Sequence, residues 1–277
     1  MLTWGKSSTR GLSITQQRAI PSSVALHSLA LLLALFGSPA HSQYDNNDGA
    51  AGPLAELHIA RVMHGAGTVQ AVGWGRPMWA IDWPEAETHI THGVARMSLI
   101  DIYTDSRHLQ LTDPYLFDYP WLFFQQPARG VFSEADVLAL REYLLRGGFA
   151  LVDDFHGESE RAYFMRLARR IFPDRAVIPI PPDDPIMSIH YDLNQNTQIP
   201  GERHLYRTPS GDIAAQLAGP QEWLGLYDDS GRLVLAAHFN MDMGDAWQHA
   251  DDPWYPEPMT NLAYRFGVNY MIYAMTH

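Results

Sequence analysis

The feature that most constrains the fold is a change of period, repeated across residues 119–180. Residues 119–125 (YPWLFFQ) are apolar at nearly every position, as a strand covered on both faces requires. Ser133 then stands where a helix N-cap belongs, with Glu134 and Asp136 in the first turn beside the positive helix end. Val137, Leu140, Leu144 and Leu145 return at helical spacing, and Gly147-Gly148 stop the helix. Residues 149–153 (FALVD) form a second strand. Residues 160–172 form a second amphipathic helix, with Tyr163, Phe164, Leu167 and Ile171 on its apolar face, and residues 176–180 a third short strand. Strand, helix, strand, helix, strand with short links predicts an α/β domain, a mostly parallel sheet with flanking helices.

The flanking segments extend this frame. Residues 56–63 (ELHIARVM) alternate as a first strand. Gly65, Gly67, Gly73 and Gly75 surround Trp74 in a loop that lacks the GxGxxG spacing of a dinucleotide fingerprint. Residues 84–97 predict a helix with Ile90, Val94 and Met97 on one face. Residues 223–227 and 232–240 flank Asp228-Asp229-Ser230-Gly231 and read as a β-hairpin. Thr260 is expected to cap a last helix that runs to about Met275 and buries Leu262, Phe266, Tyr270 and Met271. Residues 181–220 show no period that places an element.

The amino-terminal segment has a different logic. Residues 1–42 carry Lys6, Arg10 and Arg18 and no acid, then the apolar run 24–36, broken by His27 and Ser28, then small residues around Ala40 and Ser42. That order is that of a Sec-type signal peptide, and a run of 13 residues is short against the about 20 that a membrane span needs. The alternative is an uncleaved anchor. The expected organisation is a signal peptide at 1–42, a polar spacer at 43–54 and an α/β domain at 55–277, placed in the periplasm or secreted, with no membrane span in the mature chain.

Composition then excludes chemistry. There is no cysteine, hence no disulfide, no thiolate metal site and no cysteine nucleophile. Lys6 is the only lysine, so the domain has no Schiff-base or P-loop lysine. Removing the leader's three cations from 19 leaves 16 against 31 acids, a net of −15, which argues against nucleic-acid partners. Carboxylate, histidine, hydroxyl and metal chemistry remain.

In open parallel sheets, sites form at the carboxyl ends of strands. Two segments qualify. Asp153, Asp154 and His156 follow FALV; one of the two aspartates is expected to face away from the core and the other to cap the following helix, or to act with His156 as a base or metal ligand. His238, Asn240, Asp242 and Asp245 follow RLVLAA; if the strand continues, the first three line one face, where they fit a divalent cation, a polar ligand or a hydrogen-bonded network that fastens a loop. The two groups are expected to converge in one pocket if their strands run the same way. His89 and His92 share a helix face but read as surface residues, and no GxSxG elbow is present.

The blocks EADVLALREYLLRGGFALVDDFHG, FPDR, PPDDPI, GLYDDSGRLVLAAHFNMDMGDAW, ADDPWYPEP and AYRFGVNYMIYAMTH resemble the bacterial DUF4159 family. The resemblance implies a class I glutamine amidotransferase-like, flavodoxin-like three-layer fold. It also implies an envelope setting beside MoxR-type ATPases and von Willebrand-type proteins. PPDDPI also resembles a DHP turn in relatives of that fold, with Asp184 in place of the histidine. Where true amidotransferases keep a nucleophilic cysteine, residues 154–156 carry Asp, Phe and His, so glutaminase chemistry is excluded. The readings left open are an exported domain that binds a polar ligand or an envelope protein partner, a metal- or carboxylate/histidine-dependent hydrolase, and a structural envelope component. The cofactor they admit is a divalent metal.

Overall fold

The computed structural model describes residues 55–65 and 77–277; the expected leader and spacer, and the glycine loop beyond Gly65, lie outside the described residues. Seven strands form one sheet: β1 (Ile59–Val62), β2 (Arg107–Leu109), β3 (Trp121–Gln125), β4 (Phe149–Phe155), β5 (Ile178–Pro179), β8 (Glu222–Tyr227) and β9 (Leu233–Phe239). Their order is β2-β1-β3-β4-β9-β8-β5. The first five in that order are mutually parallel, whereas β8 runs antiparallel to β9 and β5 antiparallel to β8. A separate hairpin pairs β6 (Leu205–Arg207) with β7 (Ile213–Ala215), inside the segment whose sequence shows no period.

Helices cover both faces. α1 (Glu85–Met97), α4 (Met243–Gln248) and α5 (Glu257–Thr276) pack on one side, and α2 (Glu134–Leu145) and α3 (Gly157–Ile171) on the other. Alternation along the strands builds both layers. In β4, Phe149 and Leu151 enter the α1/α4/α5 layer with Trp121, Phe123, Trp247 and Phe266, while Ala150 and Val152 enter the α2/α3 layer with Phe124, Leu140 and Phe164. The architecture is the three-layer, mostly parallel α/β fold the sequence predicts. Each fully buried large side chain contributes roughly 1.5–3 kcal/mol, so the two layers carry most of the stability. Among the described residues no helix is long and apolar enough to cross a membrane.

Several expectations hold in detail. Ser133 caps α2 through a reciprocal box: its Oγ accepts the Asp136 N–H (3.1 Å), and Asp136 Oδ2 accepts the Ser133 N–H (2.8 Å). Gly147 stops the helix at φ 108°, a backbone state that costs any other residue strain. The hairpin of β8 and β9 pairs as predicted. Two expectations fail. The third strand of the central unit is reduced to Ile178–Pro179, which meets only β8, at the sheet edge; Pro179 lacks the N–H that an interior strand needs. Thr260 does not cap the last helix. α5 begins at Glu257 behind Pro256, because Pro258 is tolerated in a first turn, and Thr260 lies buried inside it.

One buried ion pair positions the loop before α1. Arg61, on β1, donates from Nε to Glu87 Oε1 and from Nη1 to the carbonyls of Trp79 (2.9 Å) and Ile81, and its guanidinium lies 4.9 Å from the centre of the Phe123 ring. Both charged side chains are almost wholly excluded from water. Replacing Glu87 by Gln leaves the guanidinium buried without its counter-charge. We expect a loss of about 3–5 kcal/mol in denaturant unfolding; a change under 1 kcal/mol would show that water reaches the pair.

Candidate functional site

The parallel strands end on one rim, and the polar residues placed there meet. β1 is followed by a crossover through α1 on one face of the sheet, and β3 by a crossover through α2 on the other. The carboxyl ends of β1 and β3 therefore flank a switch point, where ligand crevices form in open α/β sheets. Gln125 and Gln126 close β3 there, Asp153 and Asp154 close β4 beside them, and His238 and Asn240 close β9.

Neither Asp153 nor Asp154 faces away from the protein interior: both are buried, at 0% and 2% exposure. The pairing of β4 with β9 shifts register between Val152 and Phe155, and Asp154 takes φ 52°. This bulge gives Phe155 the place in the α2/α3 layer that Asp154 would have held. Nor does either aspartate cap α3, where the His156 N–H goes instead to Glu160 Oε2 (2.8 Å). Asp153 caps a helix distant in sequence: its Oδ2 accepts the N–H groups of Met243 (2.7 Å) and Gly244 (2.8 Å) at the start of α4. Its Oδ1 faces His238 Nδ1 at 3.4 Å, and His238 Nε2 shares a hydrogen bond with the Tyr270 hydroxyl (2.7 Å).

Asp154 sits among donors. His156 Nε2 (2.8 Å), Arg203 Nη2 (3.2 Å), Gln126 Nε2 and Gln125 Nε2 (3.2 Å) all reach its carboxylate. Asp242 caps α4, accepting the Asp245 N–H (3.0 Å), and Asp245 accepts the Glu202 N–H (2.7 Å), which draws Arg203 over the cluster. The ligand atoms of Asp154, His156 and Asp242 all lie within 4.8 Å of one another. His238, Asn240 and Asp242 share no single strand face, because β9 ends at Phe239 and Asn240 turns at φ 57°. Asn240 fastens loops instead, accepting from Gly157 N (3.0 Å) and donating to Pro220 O (2.9 Å). His89 and His92 stay outside the cluster; each contacts a backbone carbonyl, of Trp247 and Thr88.

Asp82, Gln125, Gln126 and Arg203 join the cluster without a sequence signal that singled them out. Asp82 precedes α1 at φ 66° and accepts from Gln125 Nε2. Asp82, Gln126, Asp154 and Asn240 are the non-glycine residues with positive φ among the described residues, and all four line this rim. Such backbone is costly and persists where its surroundings over-determine it, most often at functional sites.

Charge is unbalanced here. Five carboxylates, Asp82, Asp153, Asp154, Asp242 and Asp245, face one guanidinium, Arg203, and the imidazoles of His156, His238 and His249. Burial, then the charges of Asp245 and Asp154, pushes Asp82 well above the usual carboxylate range. Burial, then Asp154 and Asp245, does the same to Asp242. Burial raises Asp153, partly offset by His238. Burial also opposes ionisation of Asp154, but His156 and Arg203 outweigh it and hold that carboxylate below its ordinary value. Donors thus favour the charged form of Asp154, whereas burial opposes charge on Asp82, Asp153 and Asp242.

A family model described as a domain of unknown function, DUF4159, matches residues 58–275. No curated protein matches the chain.

At the end of β1, His64 is buried and its Nε2–H donates to the Gln125 carbonyl (2.7 Å). Burial drives the imidazole from 6.5 down to about 4; the hydrogen bond to Gln125 partly opposes the shift and Arg61 adds to it. The folded value lies below the unfolded one, so the unfolded chain takes up the proton first and stability is lost as pH falls from 6.5 through 4. Relative to a His64→Gln variant, the native protein should lose about 3 kcal/mol between neutral pH and pH 4, read by denaturant unfolding of both proteins. A stability difference that does not change with pH contradicts the burial argument.

Proposed function

The chain belongs to the DUF4159 family, and from that premise we propose that its domain is a divalent-cation-dependent binding module for a polar, anionic ligand. The observation that carries the reading is the convergence of Asp154, His156 and Asp242, two carboxylates and an imidazole within 4.8 Å at the carboxyl ends of two parallel strands. That donor set suits Mn²⁺, Zn²⁺ or Fe²⁺. A cation there offsets the burial and the neighbouring charges that drive Asp242 upward, and it competes for the carboxylate Arg203 now holds. The side chain of Arg203 is 55% exposed, so once released it faces an incoming anion, with His204 next to it in the chain and His156 within ring-contact distance of His204. Ligand class thus follows from charge: a carboxylate or phosphate oxygen fits between the cation and the guanidinium.

We further read the module as exported, on the cationic start, apolar run and small residues of 1–42. Amino-terminal sequencing of the fractionated protein should find a chain beginning near His41 or Gln43 outside the cytoplasm; a full-length cytoplasmic chain overturns this reading.

The cation is tested by thermal denaturation of chelator-treated protein with and without Mn²⁺, Zn²⁺, Mg²⁺ or Ca²⁺. At a concentration about 100-fold above the dissociation constant, linkage gives about 2.7 kcal/mol, a rise of roughly 5–10 °C for a domain of this size. His156→Ala and Asp154→Asn should each reduce the rise for the ion that gives it. No rise with any of the four ions, or one that neither substitution reduces, removes the proposal.

A further inference from the structure

A second set of donors adjoins the first. Asp82, Asp242 and Asp245 offer carboxylate oxygens that all lie within 4.8 Å of one another. Asp242 belongs to both sets. An acidic cluster alone proves little, since exposed carboxylates group without any ion, but here an independent feature points to a missing electropositive partner. Gln125 is wholly buried, and its Oε1 has no hydrogen-bond partner. The amide nitrogen is already committed, donating to Asp82 Oδ2 and to Asp154 Oδ2, one carboxylate from each set. The orientation of the amide is therefore held, and its oxygen is left within the cluster with nothing to accept from. A buried carbonyl oxygen without a donor is a rare and costly arrangement in native proteins. The space is also confined: a side-chain carbon at Gly244 would lie 2.4 Å from Asp82 Oδ2 and 3.0 Å from Gln125 Oε1, and one at Gly201 would lie 2.8 Å from Asp242 Oδ2 and 3.0 Å from Asp245 Oδ2. Backbone, not side chain, approaches these oxygens from both sides, and glycine leaves them facing inward.

We propose that the site is dinuclear: a second divalent cation binds Asp82, Asp245 and Gln125 Oε1, with Asp242 bridging it to the ion held by Asp154 and His156. This rests on the preceding reading for the first ion and for the shared ligand. The second set is all oxygen, three carboxylates and an amide carbonyl, which suits the harder ions Mg²⁺, Mn²⁺ or Ca²⁺. The first set includes an imidazole. Mn²⁺ accepts both donor sets and is the probe of choice. Two ions bridged by one carboxylate stand about 4 Å apart, a spacing that presents two metal faces to the oxygens of one tetrahedral or planar oxyanion.

The test is titration of the full chain, freed of metal by chelator, with Mn²⁺, reading free ion by its electron paramagnetic resonance. Two Mn²⁺ per chain are expected, with the bound pair showing spin–spin broadening. Asp82→Asn and Gln125→Met should each weaken one ion by at least tenfold and remove the broadening, while the other ion stays bound. His156→Ala should weaken the other. Metal-free circular dichroism melts establish which variants fold, and Gln125→Met, which keeps every carboxylate, carries the test if Asp82→Asn does not. One Mn²⁺ that responds to His156→Ala but not to Gln125→Met or Asp82→Asn overturns the second site and leaves the first. Two ions that ignore Gln125→Met and Asp82→Asn overturn the assignment of the ligands. No bound Mn²⁺ overturns the dinuclear centre, and with no shift from the other three ions it overturns the preceding reading as well.

Discussion

The carboxylate of Asp153 joins two segments 90 residues apart, the end of β4 and the first turn of α4. It accepts two backbone N–H groups that α4 cannot satisfy internally, and its other oxygen faces His238, itself held by Tyr270. The placement of Asp242, Gly244 and Asp245 against Asp82 and Asp154 follows from that tether. The bond forms around a wholly buried carboxylate, where a charge left unpaired would be far more expensive than one at the surface. It is therefore the interaction on which the geometry of the rim depends.

Around the tether the protein holds more negative charge than its own cations balance. Asp245 captures the Glu202 N–H next to Arg203, which reaches Asp154, and Asp82 is held in place from behind by Arg61, which binds the carbonyls that precede it. The left-handed backbone at Asp82, Gln126, Asp154 and Asn240 turns each side chain off the path of its strand or loop. Each such turn is unfavourable by itself. The apolar layers on both faces of the sheet supply the stability that tolerates it, and two of the elements bearing the acids, β4 and α4, pack directly into those layers.

Part of the rim was legible in the sequence. Asp153, Asp154 and His156 after FALV, and His238 through Asp245 after RLVLAA, were readable as strand-end polar groups, since a strongly apolar run that breaks into acids and histidine marks the point where a strand leaves the core. Asp82 carried no such signal, because it enters the rim from a loop whose path is set by Arg61 on another strand. Arg203 lies in a segment without periodicity, placed by hydrogen bonds to Asp245 and Asp154. Strict alternation assigned Asp153 and Asp154 to opposite faces; a one-residue bulge, decided by which of Asp154 and Phe155 enters the apolar layer, put both on the rim.

By itself, the sequence determined the local elements and their class: helices where apolar residues return every three or four positions behind a cap, strands where they run on, and a hairpin at Asp228–Gly231. These depend on forces within a few residues, which periodicity records directly. The absence of cysteine, and of lysine after Lys6, was equally a property of the chain alone. Only the tertiary structure decided that β5 sits at the sheet edge, that Asp153 caps α4 and not α3, and that five carboxylates share one buried rim. Each of those outcomes turns on a contact between segments far apart in sequence, where hydrogen bonding and desolvation of the completed fold outweigh local preference, and no local pattern encodes which distant partner will be there.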